Sequence, residues 1–392
     1  MPGLNILRQT FTKVFGYGDS GEELRVFFAP GRVNLIGEHT DFTGGYVLPA
    51  ALTYGTWAVV RPRKDRRFRL ASTSFPGKVE IDADKVIYQQ ADGWANYPKG
   101  VFSEFNQLGL RLSGCDILYD GNIPKGAGLS SSASIEMVTA IALKHIESLD
   151  YSLIDLAQLA QRAENQFVGL NCGIMDQFAS GMGQAGNAVL LKCDTLDYRY
   201  VPLVLGDYQL VITNSNKQRS LTESKYNQRR QECEEGVNIV QKNLPGVVSL
   251  GNLSLDQWQE VQKYVTVPEI YKRLDHVIHE NERTLASTFA LEAGNIQDFG
   301  QYMIKSHESL RDLFEVTGPE LDTLFVEARQ VDGCLGTRMT GAGFGGCTVS
   351  LVHKEAVKDF QTQVTIGYRG KTGLTPTFYH CDSGDGAREL NS

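Results

Sequence analysis

The chain has 392 residues, enough for two domains with sizeable cores, and its 42% hydrophobic and 21% charged content are those of an ordinary globular protein. A formal net charge of −8 gives no electrostatic reason to expect nucleic acid as a partner, and no apolar run is long enough to span a bilayer. The seven cysteines are scattered, odd in number and without a CxxC pair, which predicts free thiols in a reducing cytoplasm rather than a disulfide framework or a zinc site.

Leu4, Leu7, Phe11, Val14 and Phe15 recur at helical spacing, so the start reads as an amphipathic helix and not a signal peptide. Leu24 to Ala29 reads as a strand entering Pro30-Gly31. The next stretch is dense in polar side chains, Arg32, Asn34, Glu38, His39, Thr40 and Asp41, and closes with Gly44-Gly45. Val33, Leu35 and Ile36 tie that cluster to a core, which a solvated loop would not need. Its acids, arginine and histidine are suited to binding several hydroxyls; a salt-bridged surface turn is the other reading.

Val47 to Arg61 suggests strands, followed by six cations in nine residues, Arg61 to Arg69, read as a solvated hairpin tip. Trp94 to Gly100 punctuates the entry to a helix, Val101 to Leu108. Then comes a strand, Cys115 to Tyr119, a glycine turn with Gly126 and Gly128, and serines opening a helix of apolar residues, Ile135 to Leu149. Glycines admit close backbone approach, and a helix start attracts anions, so this stretch reads as a phosphate cradle. The Walker pattern is absent. A glycine turn with one serine cap is the alternative, although Ser130-Ser131-Ser132 exceeds what a cap needs.

Pro124-x-Gly126-x-Gly128-Leu129-Ser130-Ser131-Ser132-Ala133-Ser134 resembles the phosphate-binding motif of the GHMP family of small-molecule kinases. Gly31-Arg32-Val33-Asn34-Leu35-Ile36-Gly37-Glu38-His39-Thr40-Asp41 resembles the N-terminal signature of galactokinases within it. The resemblance implies that Gly126, Ala127, Gly128, Leu129, Ser130, Ser131 and Ser132 bind ATP, with Ser72 bordering the nucleotide. It implies that Glu38, His39, Thr40 and Asp41 hold the sugar, with Arg32 beside the transferring phosphoryl group. Phe42-Thr43 stands where the family usually has Tyr-Asn.

Ser152-Leu153-Ile154-Asp155 has capping-box spacing and opens a helix through Phe167, with Glu164 at the edge of its apolar stripe. By resemblance, Ser132 and Glu164 hold Mg2+, a hard cation suited to few protein ligands plus phosphate oxygens. Asp176 follows a glycine turn and reads either as a helix cap or, by resemblance, as the catalytic carboxylate. Val189 to Leu191 and Tyr208 to Thr213 read as strands, with a boundary between domains 1–205 and 206–392. Ser220-Leu221-Thr222-Glu223 is a second capping box; Tyr226 on its helix matches the family's sugar-contacting tyrosine, but by itself reads as a core-edge residue. Residues 252–327 read as helical with little obvious chemistry. Arg338 to Cys347, with four glycines in six residues, precedes a strand and resembles the third GHMP motif, which lies against the catalytic site; Asp385 to Arg388 is also similar to the family.

The fold implied is α+β, a two-domain GHMP kinase architecture with the active site in the cleft. Its N-terminal domain would resemble ribosomal protein S5 domain 2, and its C-terminal domain would be ferredoxin-like. The activity implied is ATP-dependent phosphorylation of D-galactose at the anomeric hydroxyl by a cytoplasmic monomer, with no nucleic-acid or membrane partner. An N-acetylgalactosamine kinase and a non-catalytic galactose sensor are the alternatives. A sensor would be expected to have lost part of the phosphate loop or Asp176, and both are intact.

Overall fold

A computed structural model describes residues 3–18, 23–124, 126–217 and 222–390 of the chain. It opens with helix α1 (Leu4–Phe15), strands β1 (Arg25–Asn34), β2 (Tyr46–Val47), β3 (Pro49–Arg63), β4 (Arg67–Ser72) and β5 (Lys78–Asp82), helix α2 (Asn96–Gln107) and strand β6 (Gly114–Gly121). Helices α3 (Ser131–Ile146), α4 (Leu153–Arg162) and α5 (Met175–Met182) follow, then strands β7 (Asn187–Lys192), β8 (Tyr198–Pro202) and β9 (Tyr208–Asn214). The rest is helix-rich: α6 (Thr222–Asn243), α7 (Leu255–Val261), α8 (Pro268–Glu292), α9 (Ile296–Ser309) and α10 (Pro319–Arg329). Strands β10 (Cys334–Thr340) and β11 (Cys347–His353), helix α11 (Val357–Thr372) and strands β12 (Thr377–Cys381) and β13 (Arg388–Glu389) complete it.

The first sheet has the order β13-β1-β3-β6-β4-β5. Side chains alternate across it. Phe27, Ala29, Ala58 and Val60 pack with Met137, Val138 and Leu156 of the long helices, while Val26, Phe28, Trp57 and Val59 pack with Leu7 and Phe11 of α1. The second sheet, β10-β11-β9-β12, is antiparallel and lies against a helical core that includes Val211, Leu274, Phe314, Leu324 and Phe360. A third apolar cluster joins the halves, setting Val33, Leu35 and Ile36 against Ile212, Phe299, Val349 and Leu351. The staple expected in the polar signature is therefore the seam between the two sheets. The architecture is the mixed α+β type expected, and β13 carries the C-terminal end back to pair with β1.

One expectation changes. The cations of Arg61 to Arg69 do not sit on a hairpin tip, because β3 and β4 do not pair with each other: they flank β6 on opposite sides. Asp116 of β6, fully buried, takes Arg61, Arg63 and Arg69 together. A buried carboxylate needs such partners. Helix α3 begins at Ser131, so the serines open it as expected, two of the three lying in its first turn. The capping box at Ser152 and Asp155 is formed, whereas Ser220-Leu221-Thr222-Glu223 falls outside the described residues and side chains. No helix among the described residues is long and apolar enough to cross a membrane.

Candidate active site

Arg32 lies near the end of β1, and its guanidinium reaches the first turn of α5. There Asp176 accepts from Arg32 Nε at 2.8 Å and from Nη2 at 3.0 Å, a planar fork on a carboxylate. The third guanidinium nitrogen, Nη1, donates to the Gly128 carbonyl at 2.9 Å. Helix α5 has no side-chain cap and Asp176 lies inside it, so the helix-cap reading of this residue fails.

Ser130 donates from Oγ to Asp176 Oδ2 at 2.5 Å. Its backbone is left-handed, with φ at 60°, which costs about 1–2 kcal/mol in a residue with a Cβ. A hydrogen bond to a charged group contributes about 1.5–3 kcal/mol, enough to hold that conformation. With its hydroxyl committed there, Ser130 does not cap α3, whose first turn has no side-chain cap. The single-cap alternative therefore fails too, and the open helix start keeps the donors an anion needs. Ala127 and Leu129 bury their side chains beside Val33 and Leu35, pinning a loop in which Gly126 and Gly128 both have φ near 72°. Gly341 of the third glycine motif packs against the Gly128 carbonyl. A cavity of about 240 Å³ opens here, lined by Ser131, Ser132 and the expected Ser72, with Phe75, Trp94, Tyr97 and Tyr119 as aromatic walls. The sequence reading took Trp94 and Tyr97 as helix punctuation, and only their clustering in space marks them as a surface for a flat ligand.

Glu164 is turned inward by a π-helix, Ala163–Val168, in which the wider turn rotates the end of α4; such segments recur at functional sites. It is 5% exposed, and Ser132 lies close enough to favour its charged form, so the two expected magnesium ligands are brought together. Gln177 Nε2 donates to Glu164 at 2.5 Å and to the buried Glu136 at 3.1 Å. Burial, with Asp176 nearby, pushes the Glu164 carboxyl up to about 7, so a cation at this spot would relieve a buried charge. Among the described residues no group of three or more His, Cys, Asp or Glu gathers as a metal centre.

Asp176 lines a second cavity, about 180 Å³, together with Arg32, Glu38, His39, Asp41, Glu164 and Tyr226. Burial and the neighbouring Asp176 push Asp41 up to about 7. Burial also raises Glu38, against the pull of Arg338 and Arg32. His39 is lowered to about 3 by burial and by His276, so it is a neutral ring, set 5.6 Å from the Tyr226 ring. Neutral imidazole, phenol and carboxyl groups together can both donate to and accept from hydroxyls. Thr40 is placed apart from them: it is fully buried and its hydroxyl goes to the carbonyls of Gly37 and Tyr46. Asn171, Cys172, Gly173 and Asn227 are also part of the wall, and nothing in the sequence singles them out. Gly173 is needed because a Cβ there would overlap the Asp41 carboxylate.

Three family descriptions match the chain: "Galactokinase galactose-binding signature" over residues 9–62, "GHMP kinases N terminal domain" over 96–184 and "GHMP kinases C terminal" over 289–370. A galactokinase of Fusobacterium nucleatum is 50% identical over 390 residues, covering 99% of this chain and 100% of the relative. One from Bacillus subtilis is 48% identical over 387 residues, covering 98% of each. Lactococcus lactis galactokinase, solved in complex with galactose, superposes with a TM-score of 0.95 at 42% identity, covering 99% of this chain and 100% of that one. Mevalonate kinase of Methanococcus jannaschii, at 18% identity and a TM-score of 0.67 over 94% of this chain and 100% of that one, shares the fold. The chain belongs to the galactokinases, sugar kinases of the GHMP kinase family.

Proposed function

We propose that ATP enters the aromatic-walled cavity with its phosphates on residues 126–132, that D-galactose enters the cavity of Glu38, His39, Asp41 and Tyr226, and that the γ-phosphoryl group passes between them to the anomeric hydroxyl. The observation that carries this is the position of Asp176. It lines the sugar cavity and is hydrogen-bonded to Ser130, the residue that opens the phosphate-loop helix. Asp176 takes the proton of the anomeric hydroxyl as its oxygen bonds to the γ-phosphorus and the bond to the ADP oxygen breaks. Arg32 holds Asp176 in place and offers positive charge to the transferring group. A magnesium ion bound by Ser132 and Glu164 would neutralise phosphate charge, and a hydroxyl beside a buried carboxylate is a fitting donor pair for it.

In this reading the two domains divide near residue 205, between β8 and β9, with the β13 segment crossing back. The protein works as a monomer in the cytoplasm; the described cysteines are free thiols, as a reducing compartment favours. The test is ADP release across galactose, glucose, N-acetylgalactosamine and mevalonate, with the product identified by phosphorus NMR. Galactose 1-phosphate should form fastest. N-acetylgalactosamine as the best substrate would overturn the assignment, and sugar binding without turnover would favour a sensor.

A further inference from the structure

Glu38, a wall of the sugar cavity, is gripped at all three of its polar ends from the far half of the chain. Its backbone N–H donates to Glu280 Oε1 at 3.3 Å, beside the Gly37 N–H at 3.1 Å. Its carbonyl meets His276 Nε2 at 3.1 Å. Its carboxylate pairs with Arg338 Nη2 at 2.9 Å. Glu280 and His276 belong to α8 and Arg338 to β10, and all three are fully buried. They are also linked to one another: Ser306 donates to Glu280 at 2.5 Å and receives Arg338 Nε at 3.1 Å, while Arg283 holds the other Glu280 oxygen at 2.7 Å.

The arrangement has the features of a support and not of a chance burial. Glu280 is lowered to about 2: burial opposes its charge, but Arg283 and Arg338, with the Ser306 hydroxyl, outweigh that. His276 is lowered to about 4, chiefly by burial, so it is neutral; Ser309 sits 2.8 Å from Nδ1, leaving Nε2–H to serve the Glu38 carbonyl. The next residue, His39, holds a left-handed φ of 62°, a conformation that persists only where its surroundings impose it.

We propose that Glu280 and Arg338, with Ser306 as their link, are positioning residues that set galactose affinity by fixing the backbone and carboxylate of Glu38. This rests on the galactose reading of the cavity. Removing Arg338 leaves the buried Glu38 carboxylate without its ion-pair partner, with Arg32 as the remaining nearby cation, so it turns or takes up a proton; the ATP cavity, which these residues do not line, is untouched.

The experiment measures KM for galactose and for ATP, galactose affinity by calorimetry, and melting temperature, in the unaltered enzyme and in Arg338→Met, Arg338→Lys and Ser306→Ala. Arg338→Met should raise the galactose KM and dissociation constant about 10- to 100-fold, the cost of leaving a buried charged group without its ion-pair partner, with the ATP KM within about twofold. Arg338→Lys should recover part of that loss. Should Arg338→Met not fold, Ser306→Ala carries the test through a smaller rise confined to galactose. Equal losses toward both substrates, or an unchanged galactose KM in a folded variant, overturn the proposal. Failure of the unaltered enzyme to phosphorylate galactose overturns the reading beneath it instead.

Discussion

Arg32 and Asp176, 144 residues apart in the chain, meet through two parallel hydrogen bonds, and the Asp176 side chain stays 25% exposed on the sugar-cavity side. The fork fixes the carboxylate plane, and Ser130 holds one of its oxygens. What is left exposed faces the sugar cavity, where in the proposed reading the carboxylate takes the hydroxyl proton.

The phosphate loop depends on Gly128, whose φ of 72° suits glycine and whose carbonyl receives Arg32. A β-branched residue is an outlier in that region of backbone space. Gly128→Val should therefore weaken binding of a non-hydrolysable ATP analogue by about 10-fold or more, the cost of roughly one charged hydrogen bond, while galactose binding and helix content persist. Unchanged nucleotide affinity in calorimetry would count against the loop.

Ser132 and Glu164 are tested together. Glu164→Gln removes the charge and Ser132→Ala the hydroxyl, so each should raise the Mg2+ concentration for half-maximal activity, on the order of 10-fold for the lost carboxylate. Calorimetry supplies a readout apart from turnover: Mg2+ should strengthen ADP binding to the unaltered protein and do so much less in Glu164→Gln. An undiminished Mg2+ effect would remove Glu164 from the metal site.

Asp41 gives a pH signature. Its folded value, about 7, lies above that of an unfolded aspartate, so between about pH 4 and 7 the native protein holds more protons than the unfolded chain. Stability contributed by this group therefore falls as pH rises through that window. Asp41→Asn cannot ionise, so its melting temperature relative to the unaltered protein should be higher at pH 8 than at pH 5. A difference independent of pH would place Asp41 in a more solvated setting.

The two cavities were legible in the sequence to the extent that their residues are neighbours in the chain. Arg32 to Asp41 and Gly126 to Ser132 are each a single turn at a strand end, so a short window holds both the backbone and the chemistry. The support behind Glu38 was not legible. Arg273, His276, Glu280 and Thr284 recur at helical spacing on α8, as a buried stripe does, but the contacts of His276 and Glu280 with Glu38 span 238 and 242 residues, and polar residues on a helix read first as a solvated face. Asp116 hid for a similar reason: the arginines it neutralises come from both flanking strands, and the order β3-β6-β4 is a property of the sheet. Glu164 was found only at the margin of a stripe, because an α-helical period cannot anticipate the π-turn that rotates it inward.

The central claim is that Asp176 receives the proton of the attacking hydroxyl, and Asp176→Asn tests it most directly. Asparagine keeps the size and one acceptor oxygen but carries no charge and takes no proton. Measured as kcat beside galactose affinity and melting temperature, the variant should lose about 10²- to 10⁴-fold in kcat, the usual worth of a general base. Galactose should still bind with near-normal affinity, held by Glu38, His39, Asp41 and Tyr226. A folded Asp176→Asn enzyme that binds galactose and turns over at a near-normal rate would contradict the mechanism.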